Sequence, residues 1–164
     1  MDDVTVRVGT PEDFNYAMNL ARAATMENGI VEPDLRKMAD VIWGALTRKT
    51  GIIGVIGKPG EKLEGGVLLT IGELWYSREI MLEEKVIFVE PEFRNAKGGR
   101  ARKLAEFAKT TAEELGVPMA IGVLSNSRTE AKIRLYERVF GKPAGVYFLY
   151  GGKTGLDDVA EGGS

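Results

Sequence analysis

Residues 94 to 100 form a basic, glycine-containing loop with the sequence Arg-Asn-Ala-Lys-Gly-Gly-Arg. Two adjacent glycines let a ligand approach the backbone closely, and the first amides of a following helix have no partner within that helix. Such a helix N-terminus attracts anions. The loop is therefore predicted to bind an anion such as a pyrophosphate. The plainer interpretation is a solvated basic loop that opens a surface helix.

The sequence contains no cysteine and no histidine. Their absence excludes disulfides, thiol nucleophiles, Ser-His-Asp triads and zinc sites with the usual ligands, and no metal is expected. Acid–base chemistry must therefore use carboxylates, tyrosine, lysine or water. The net charge of −2 and the pI of about 5.4 disfavour broad electrostatic binding to nucleic acid.

An apolar strand precedes this loop and a long amphipathic helix follows it. Residues 86 to 89 are β-branched or aromatic, and Pro91 ends the strand because it lacks the amide hydrogen that a sheet requires. Gly116 and Pro118 end the helix. Apolar residues three and four apart predict one buried stripe, at Ala101, Leu104, Ala105, Ala108, Ala112 and Leu115.

Hydrophobic periodicity and turn residues divide the rest of the chain into helices and strands. The first predicted elements are a strand at Val4 to Val8, a helix from Thr10-Pro11 to about Glu27, a helix opened by Pro33 with Leu35, Met38, Ile42 and Leu46 on one face, and strands at Gly51 to Ile56 and Leu63 to Tyr76. After the strand from Leu82 and the long helix come a strand at Met119 to Leu124, a helix capped by residues 125 to 127 that holds Ile133, Tyr136 and Val139, and a strand at Gly145 to Tyr150.

The strands on either side of the long helix are joined by a crossover, which predicts that they are parallel neighbours. If these two strands splay at their carboxyl ends, a cleft opens beside the helix N-terminus. The anion-binding loop would lie at one end of that cleft.

The order Val-x-Pro-x-x-Arg, a glycine-containing turn and an amphipathic helix resembles the acyl-CoA-binding segment of the GNAT N-acetyltransferases. The family signature is Arg or Gln, two residues, Gly, one residue, then Gly or Ala. Arg94 and Gly99 match its first and last positions, but Lys97 occupies the position of the first glycine. A positive φ at Lys97 would cost about 1 kcal/mol or more, and a local shift that gives Gly98 this role would avoid that cost.

Two further segments resemble the same family. Residues 133 to 138, Ile-Arg-Leu-Tyr-Glu-Arg, are similar to its Leu-Tyr-Glu segment, and Trp75-Tyr76-Ser77 resembles phage-borne members. The resemblance implies an α/β fold with a mixed, mostly antiparallel sheet, a central parallel strand pair splayed at the cofactor site, and helices on both faces. It covers a domain of residues 1 to 152, and residues 153 to 164 are expected to form a flexible tail.

The resemblance implies acetyl-CoA as the acyl donor, bound by residues of the strand end, the loop and the following strand: Phe88, Val89, Arg94, Asn95, Ala96, Lys97, Gly98, Gly99, Arg100, Ala101 and Asn126. A backbone amide near Phe88 and Val89 would polarise the acyl carbonyl. Trp75 and Tyr76 would wall the acceptor pocket, or pack as ordinary hairpin residues.

The resemblance assigns Tyr136 the role of general acid towards the coenzyme A thiolate, whereas a core aromatic is the structural alternative. The attacking amine must first lose a proton. Glu83 and Glu84 are the candidate bases, and strand alternation allows only one of them to line the cleft. Family spacing favours Glu83, and a water chain is a third route.

The resemblance implies an enzyme that acetylates a primary amine, of a small molecule or a peptide, by direct attack in a ternary complex. One alternative is a noncatalytic protein of the same fold that binds acyl-CoA or a host protein. The other, which the acidic net charge opposes, is a nucleic-acid binder using Arg94, Lys97, Arg100, Arg102 and Lys103.

The acidic N-terminal residues and the short apolar runs indicate neither a signal peptide nor a membrane span. A cytoplasmic location is therefore expected, which is the host cytoplasm if the protein is phage-encoded. Dimerisation is compatible with the sequence.

Overall fold

A computed structural model describes residues 4–124 and 128–151. Five strands form one sheet in the order β1 to β5, in which β4 and β5 are parallel and all other neighbours are antiparallel. The strands are β1 Arg7–Val8, β2 Gly51–Ile56, β3 Gly65–Glu73, β4 Ile80–Val89 and β5 Met119–Ala120. The helices are α1 Phe14–Asn28, α2 Leu35–Leu46, α3 Arg100–Leu115 and α4 Thr129–Phe140.

Helices cover both faces of the sheet, and each face has its own hydrophobic core. On one face, Leu20 of α1 and Ile42 of α2 pack with residues of β2 and with Phe88. On the other face, the alanine- and leucine-rich stripe of α3 packs on Leu82 and Val89 of β4. The predicted fold class is confirmed. None of the helices in residues 4–124 and 128–151 is long and apolar enough to cross a membrane.

Most predicted elements are present, with changed ends. The strands predicted at residues 4 to 8, 63 to 76 and 119 to 124 are shorter, because fewer of their residues find a partner strand. Pro33 was predicted to open α2, but the helix begins at Leu35. Asp34 caps it, and its carboxylate accepts hydrogen bonds from the amides of Arg36 and Lys37. Leu35 and Leu115, both predicted to be buried, are about half exposed because each lies at a helix end beyond the core.

The strand predicted at Gly145 to Tyr150 is wrong, because this segment pairs with none of the five strands in the described part of the chain. Without a sixth strand, β5 is an edge strand there. The parallel pair therefore lies at the side of the sheet, not at its centre as predicted. Residues 125 to 127, predicted to cap α4, lie outside the described residues, as does the tail from residue 153.

Strand β4 contains a β-bulge at Lys85, which has no counterpart on β3. A bulge shifts the alternation of side chains by one residue. Leu82 before the bulge and Val89 after it therefore pack in the same core beneath α3, although an odd number of steps separates them. The bulge sets which side chains of β4 face α3 and α4.

The N-terminal strand is tied to the start of the first helix by an ion pair whose carboxylate is buried. The Asp13 side chain is 0% exposed, and Arg7 donates to both of its oxygens at 2.8 Å. The Thr10 amide donates to the same carboxylate at 2.9 Å. Burial alone would raise the pKa of Asp13, but these hydrogen bonds hold it below its usual value.

Asp13→Ala is expected to reduce the free energy of unfolding by about 1–3 kcal/mol, because the Arg7 guanidinium, which is 25% exposed, loses its carboxylate partner. Urea unfolding at pH 7 measures the loss, and the exposed neighbour Glu12→Ala is the matched control. Since the pKa of Asp13 is lowered in the folded state, the stabilisation should also disappear as the pH falls through that lowered value. Equal unfolding midpoints for the two variants would contradict this assignment.

Candidate active site

A cleft opens where β4 and β5 separate. Their parallel pairing ends at Glu83 and Ala120, whereas β4 continues to Val89. The cleft lies between the end of β4, the start of α3 and the inner face of α4, and has a cavity volume of about 120 Å³. The residues that line it are Glu27, Ile87, Phe88, Val89, Phe93, Arg94, Arg100, Ala101, Arg128, Ala131, Lys132, Leu135 and Tyr136.

The glycines of the loop give the backbone its path into α3. Gly98 has φ +120° and Gly99 has φ +58°, whereas Lys97 does not have a positive φ. The structure thus adopts the shifted arrangement, in which Gly98 takes the role that the signature gives to the position of Lys97. A Cβ on Gly98 would meet Val4 at 2.5 Å, whereas one on Gly99 would meet nothing within 4 Å. Gly99 therefore leaves open space at the N-terminus of α3.

Arg94 is held by the protein on three sides. Its guanidinium donates to both oxygens of Glu27 at 2.9 and 2.8 Å, and its Nε donates to the Val89 carbonyl at 2.9 Å. The group also lies 5.1 Å from the centre of the Phe88 ring. Arg94 thus joins α1 to the end of β4.

Arg100 is the second engaged cation and is buried at the first position of α3. It donates to the Glu64 carboxylate at 3.3 and 3.5 Å and to the Lys97 carbonyl at 3.0 Å, and it stacks on Phe93. Arg94, Lys97 and Arg100 were all predicted to bind the coenzyme. In the structure, two of them are paired with carboxylates and shape the loop, while Lys97 is exposed.

The two adjacent glutamates of β4 face opposite sides of the sheet. Glu83 accepts a hydrogen bond from Lys85 at 2.6 Å. Glu84 lies on the side of α4, where the Gly122 amide donates to it at 3.5 Å. Burial raises the pKa of Glu84 to about 7, although the Gly122 hydrogen bond and the charges of Lys85 and Lys132 oppose the rise.

Tyr136 lies on the inner face of α4 and lines the cleft. Burial and the negative charge of Glu84 raise the pKa of its hydroxyl. Lys132, one turn earlier, lines the same cleft, and burial lowers the pKa of its ammonium. The hydroxyl therefore stays protonated at neutral pH, close to a carboxylate that titrates near neutrality.

Solved structures with this architecture cover nearly the whole chain. AAC(6')-Iy, in complex with the bisubstrate analog CoA-S-monomethyl-acetylneamine, is 16% identical with a TM-score of 0.68, and the match covers 91% of this chain and 97% of that one. The chain has the GNAT acetyltransferase fold. The sequence itself matches no protein-family model and no curated protein.

Two other proteins with the GNAT fold show the range of acceptors named for such structures. The aminoglycoside acetyltransferase meta-AAC0020 from an uncultured soil metagenomic sample, in complex with sisomicin, is 15% identical with a TM-score of 0.63, over 90% of this chain and 95% of that one. A ribosomal-protein-alanine N-acetyltransferase from Brucella melitensis biovar Abortus 2308 is 15% identical with the same TM-score, over 90% and 97%.

Two predicted substrate residues do not reach the cleft of this GNAT fold. Trp75 and Tyr76 lie in the turn between β3 and β4, are 94% and 69% exposed, and contact each other edge to face at 5.6 Å. Neither residue lines the cleft, so the structure does not place them at an acceptor pocket there. Asn126 lies outside the described residues.

Glu27, Arg128 and Lys132 line the cleft but were not predicted. Glu27 is 67 residues from Arg94 in sequence, so no local pattern connects the two. Lys132 carried a usable signal, because it precedes Tyr136 by four residues and must share its helix face.

Proposed function

We propose that the protein is an N-acetyltransferase that moves the acetyl group of acetyl-CoA to a primary amine by direct attack in a ternary complex. The observation that carries the proposal is a cleft that ends at the N-terminus of α3 and is lined by Tyr136. Glu84 is not among the residues that line the cleft, but its carboxylate is close enough for its charge to raise the pKa of the Tyr136 hydroxyl. A base with a pKa near 7 and a protonated hydroxyl are the two proton-transfer groups that this reaction requires.

The start of α3 would hold the pyrophosphate of coenzyme A. The first-turn amides of a helix are available to an anion and carry the positive end of the helix dipole. Gly99 leaves the space in front of them open. Arg94 and Arg100 would act mainly by fixing the loop, because each is already paired with a carboxylate.

Glu84 would be the general base. An amine arrives mainly as ammonium at pH 7, and its proton would pass to the Glu84 carboxylate, directly or through a water. The free amine nitrogen then forms a bond to the thioester carbonyl carbon. A backbone amide near Phe88 and Val89 would stabilise the oxyanion that develops. This assignment replaces the Glu83 that family spacing favoured, because Glu83 faces away from α4 and pairs with Lys85.

Tyr136 would then give its proton to the departing sulfur as the carbon–sulfur bond breaks. Tyr136→Phe is expected to lower kcat by about 10²-fold, because the thiolate must leave without a proton donor. The KM for acetyl-CoA should stay within about 3-fold, since the ring remains in place. Initial rates for Tyr136→Phe and for the exposed control Tyr76→Phe measure this, and equal kcat values for the two variants would refute the role.

The structurally similar proteins support an amine as the acceptor, but no narrower class. One of the similar proteins is named as an aminoglycoside acetyltransferase and another as a ribosomal-protein-alanine N-acetyltransferase. Aminoglycosides and peptide N-termini are therefore the first two acceptor classes to assay.

Release of free coenzyme A thiol, measured with acetyl-CoA and each acceptor class, tests the proposal. Reciprocal rate, plotted against the reciprocal concentration of one substrate at several fixed concentrations of the other, should give intersecting lines, as direct attack in a ternary complex requires. Parallel lines would indicate a covalent acetyl-enzyme instead. Binding of acetyl-CoA without thiol release for any amine would favour the noncatalytic alternative.

A further inference from the structure

A second cavity adjoins the cleft at Phe88, between the helices α1 and α2 and the strands β2 to β4. It has a volume of about 40 Å³, and every residue that lines it is apolar or glycine. A water molecule would fit into this volume, but a buried water needs several polar partners. A hydrocarbon chain is the occupant that an apolar lining suits.

Phe88 separates this cavity from the cleft. Among the described residues, it is the one that lines both. Its side chain is 8% exposed and belongs to the hydrophobic core beneath α1 and α2. The Arg94 guanidinium lies 5.1 Å from the centre of the ring, and Glu27 and the Val89 carbonyl hold that guanidinium in turn. The ring is therefore fixed between the two volumes.

The acyl group of the donor would lie against the cleft side of Phe88. In the proposed reaction, the thioester carbonyl has to be within reach of Tyr136 and of the amide near Phe88 and Val89, and all three residues line the cleft. The acyl carbons beyond the carbonyl then have to fit beside the Phe88 ring. An acetyl group adds only a methyl there, whereas each longer acyl group adds methylenes for which the ring leaves no room.

We propose that Phe88 restricts the donor to short acyl groups, and that the cavity behind it binds the hydrocarbon tail of a longer acyl group once the ring is removed. This inference rests on the proposed acetyl transfer and names the residue that selects the donor. One methylene in an apolar pocket changes kcat/KM by roughly 10- to 200-fold. The parent protein is therefore expected to use butyryl-CoA about 10²-fold less well than acetyl-CoA.

The value of kcat/KM for butyryl-CoA divided by that for acetyl-CoA tests the proposal. Release of coenzyme A thiol at a fixed amine concentration gives both values. Phe88→Ala should raise this donor ratio by about 10²-fold, because it joins the cavity to the cleft. Both donors are measured on one preparation, so a loss of folded protein cancels in the ratio. Phe88→Leu keeps more of the packing and should raise the donor ratio less. An unchanged donor ratio in both variants would overturn the proposal.

Two further variants separate the opening at Phe88 from a general loosening of the core. Val86 lines the cavity but not the cleft, so Val86→Ala should leave the donor ratio within about 3-fold of the parent value. Ala21 of α1 also lines the cavity. Ala21→Leu, added to Phe88→Ala, should fill the cavity and return the donor ratio towards the parent value. An equal rise in Val86→Ala and Phe88→Ala would contradict the role of the ring.

Binding distinguishes failure of this inference from failure of the proposed function. Calorimetric titration with acetyl-CoA and with butyryl-CoA needs no amine. The affinity for butyryl-CoA relative to acetyl-CoA should rise by at least about 10-fold in Phe88→Ala. If the parent protein binds acetyl-CoA and Phe88→Ala keeps the same preference, this inference alone fails. If neither protein binds either donor, the proposed function fails with it.

Discussion

Glu84→Gln is expected to lower kcat/KM by about 10³-fold, because the amide cannot accept the proton that an incoming ammonium must lose. The neighbouring change Glu83→Gln is the matched control and should leave kcat/KM within about 3-fold, since that residue faces away from α4. Initial rates with saturating acetyl-CoA and an amine concentration well below its KM measure kcat/KM for both variants. If Glu83→Gln is the more damaging change, the base has been assigned to the wrong face of β4.

The pH profile separates loss of the base from loss of the fold. Because the pKa of Glu84 is raised to about 7, the parent protein should gain activity as the pH rises through 7. The Glu84→Gln variant should not show this rise. Dividing kcat/KM of the parent by kcat/KM of the variant at each pH cancels the ionisation of the amine substrate, which affects both proteins equally.

Glu84→Gln should also be the more stable protein above pH 7. The folded state holds a proton on Glu84 between the ordinary value of 4.5 and about 7, so parent stability falls as the pH rises across that window. A variant that is less stable than the parent at pH 8 would show that the activity loss comes from damage to the fold.

Gly99→Glu is expected to raise the KM for acetyl-CoA by about 10³-fold. The new carboxylate would stand where we place the pyrophosphate, and two unit charges about 4 Å apart repel by about 4 kcal/mol at an effective dielectric constant of about 20. A Cβ at this position meets no atom within 4 Å, so the fold should tolerate the side chain.

Gly60→Glu is the matched control for this change. Gly60 also has a positive φ, +72°, and open space at its Cβ, but it lies in the turn after β2, away from the cleft. Both variants add one negative charge and place a side chain at a positive φ. Only Gly99→Glu should weaken the use of acetyl-CoA. Equal KM values for the two variants would place the pyrophosphate elsewhere.

The helices and strands could be predicted from sequence because their signals are local. The apolar stripe of α3, the glycine at its end and the β-branched run of β2 each identify an element without reference to the rest of the chain. The segment at residues 145–150 has the same local signal, and the prediction failed there because a strand also needs a neighbouring strand, which local pattern does not report.

The site could be predicted less completely, because its details depend on contacts between distant residues. The proposed choice of Glu84 over Glu83 depends on which face of β4 lies on the side of α4, and the bulge at Lys85 has no evident sequence signal. The pairing of Arg94 with Glu27 brings together α1 and the end of β4. The backbone of the loop was an exception, because it could be predicted locally. A positive φ is costly for lysine, so the sequence favoured the adjacent Gly98 for that conformation, and Gly98 has it.

The most direct test is a calorimetric titration of the purified parent protein with acetyl-CoA. One molecule should bind per chain with micromolar affinity, and desulfo-coenzyme A, which retains the pyrophosphate, should compete for the same site. The absence of binding heat, or binding of acetyl-CoA with which the analogue does not compete, would contradict the assignment of the cleft as an acetyl-CoA site.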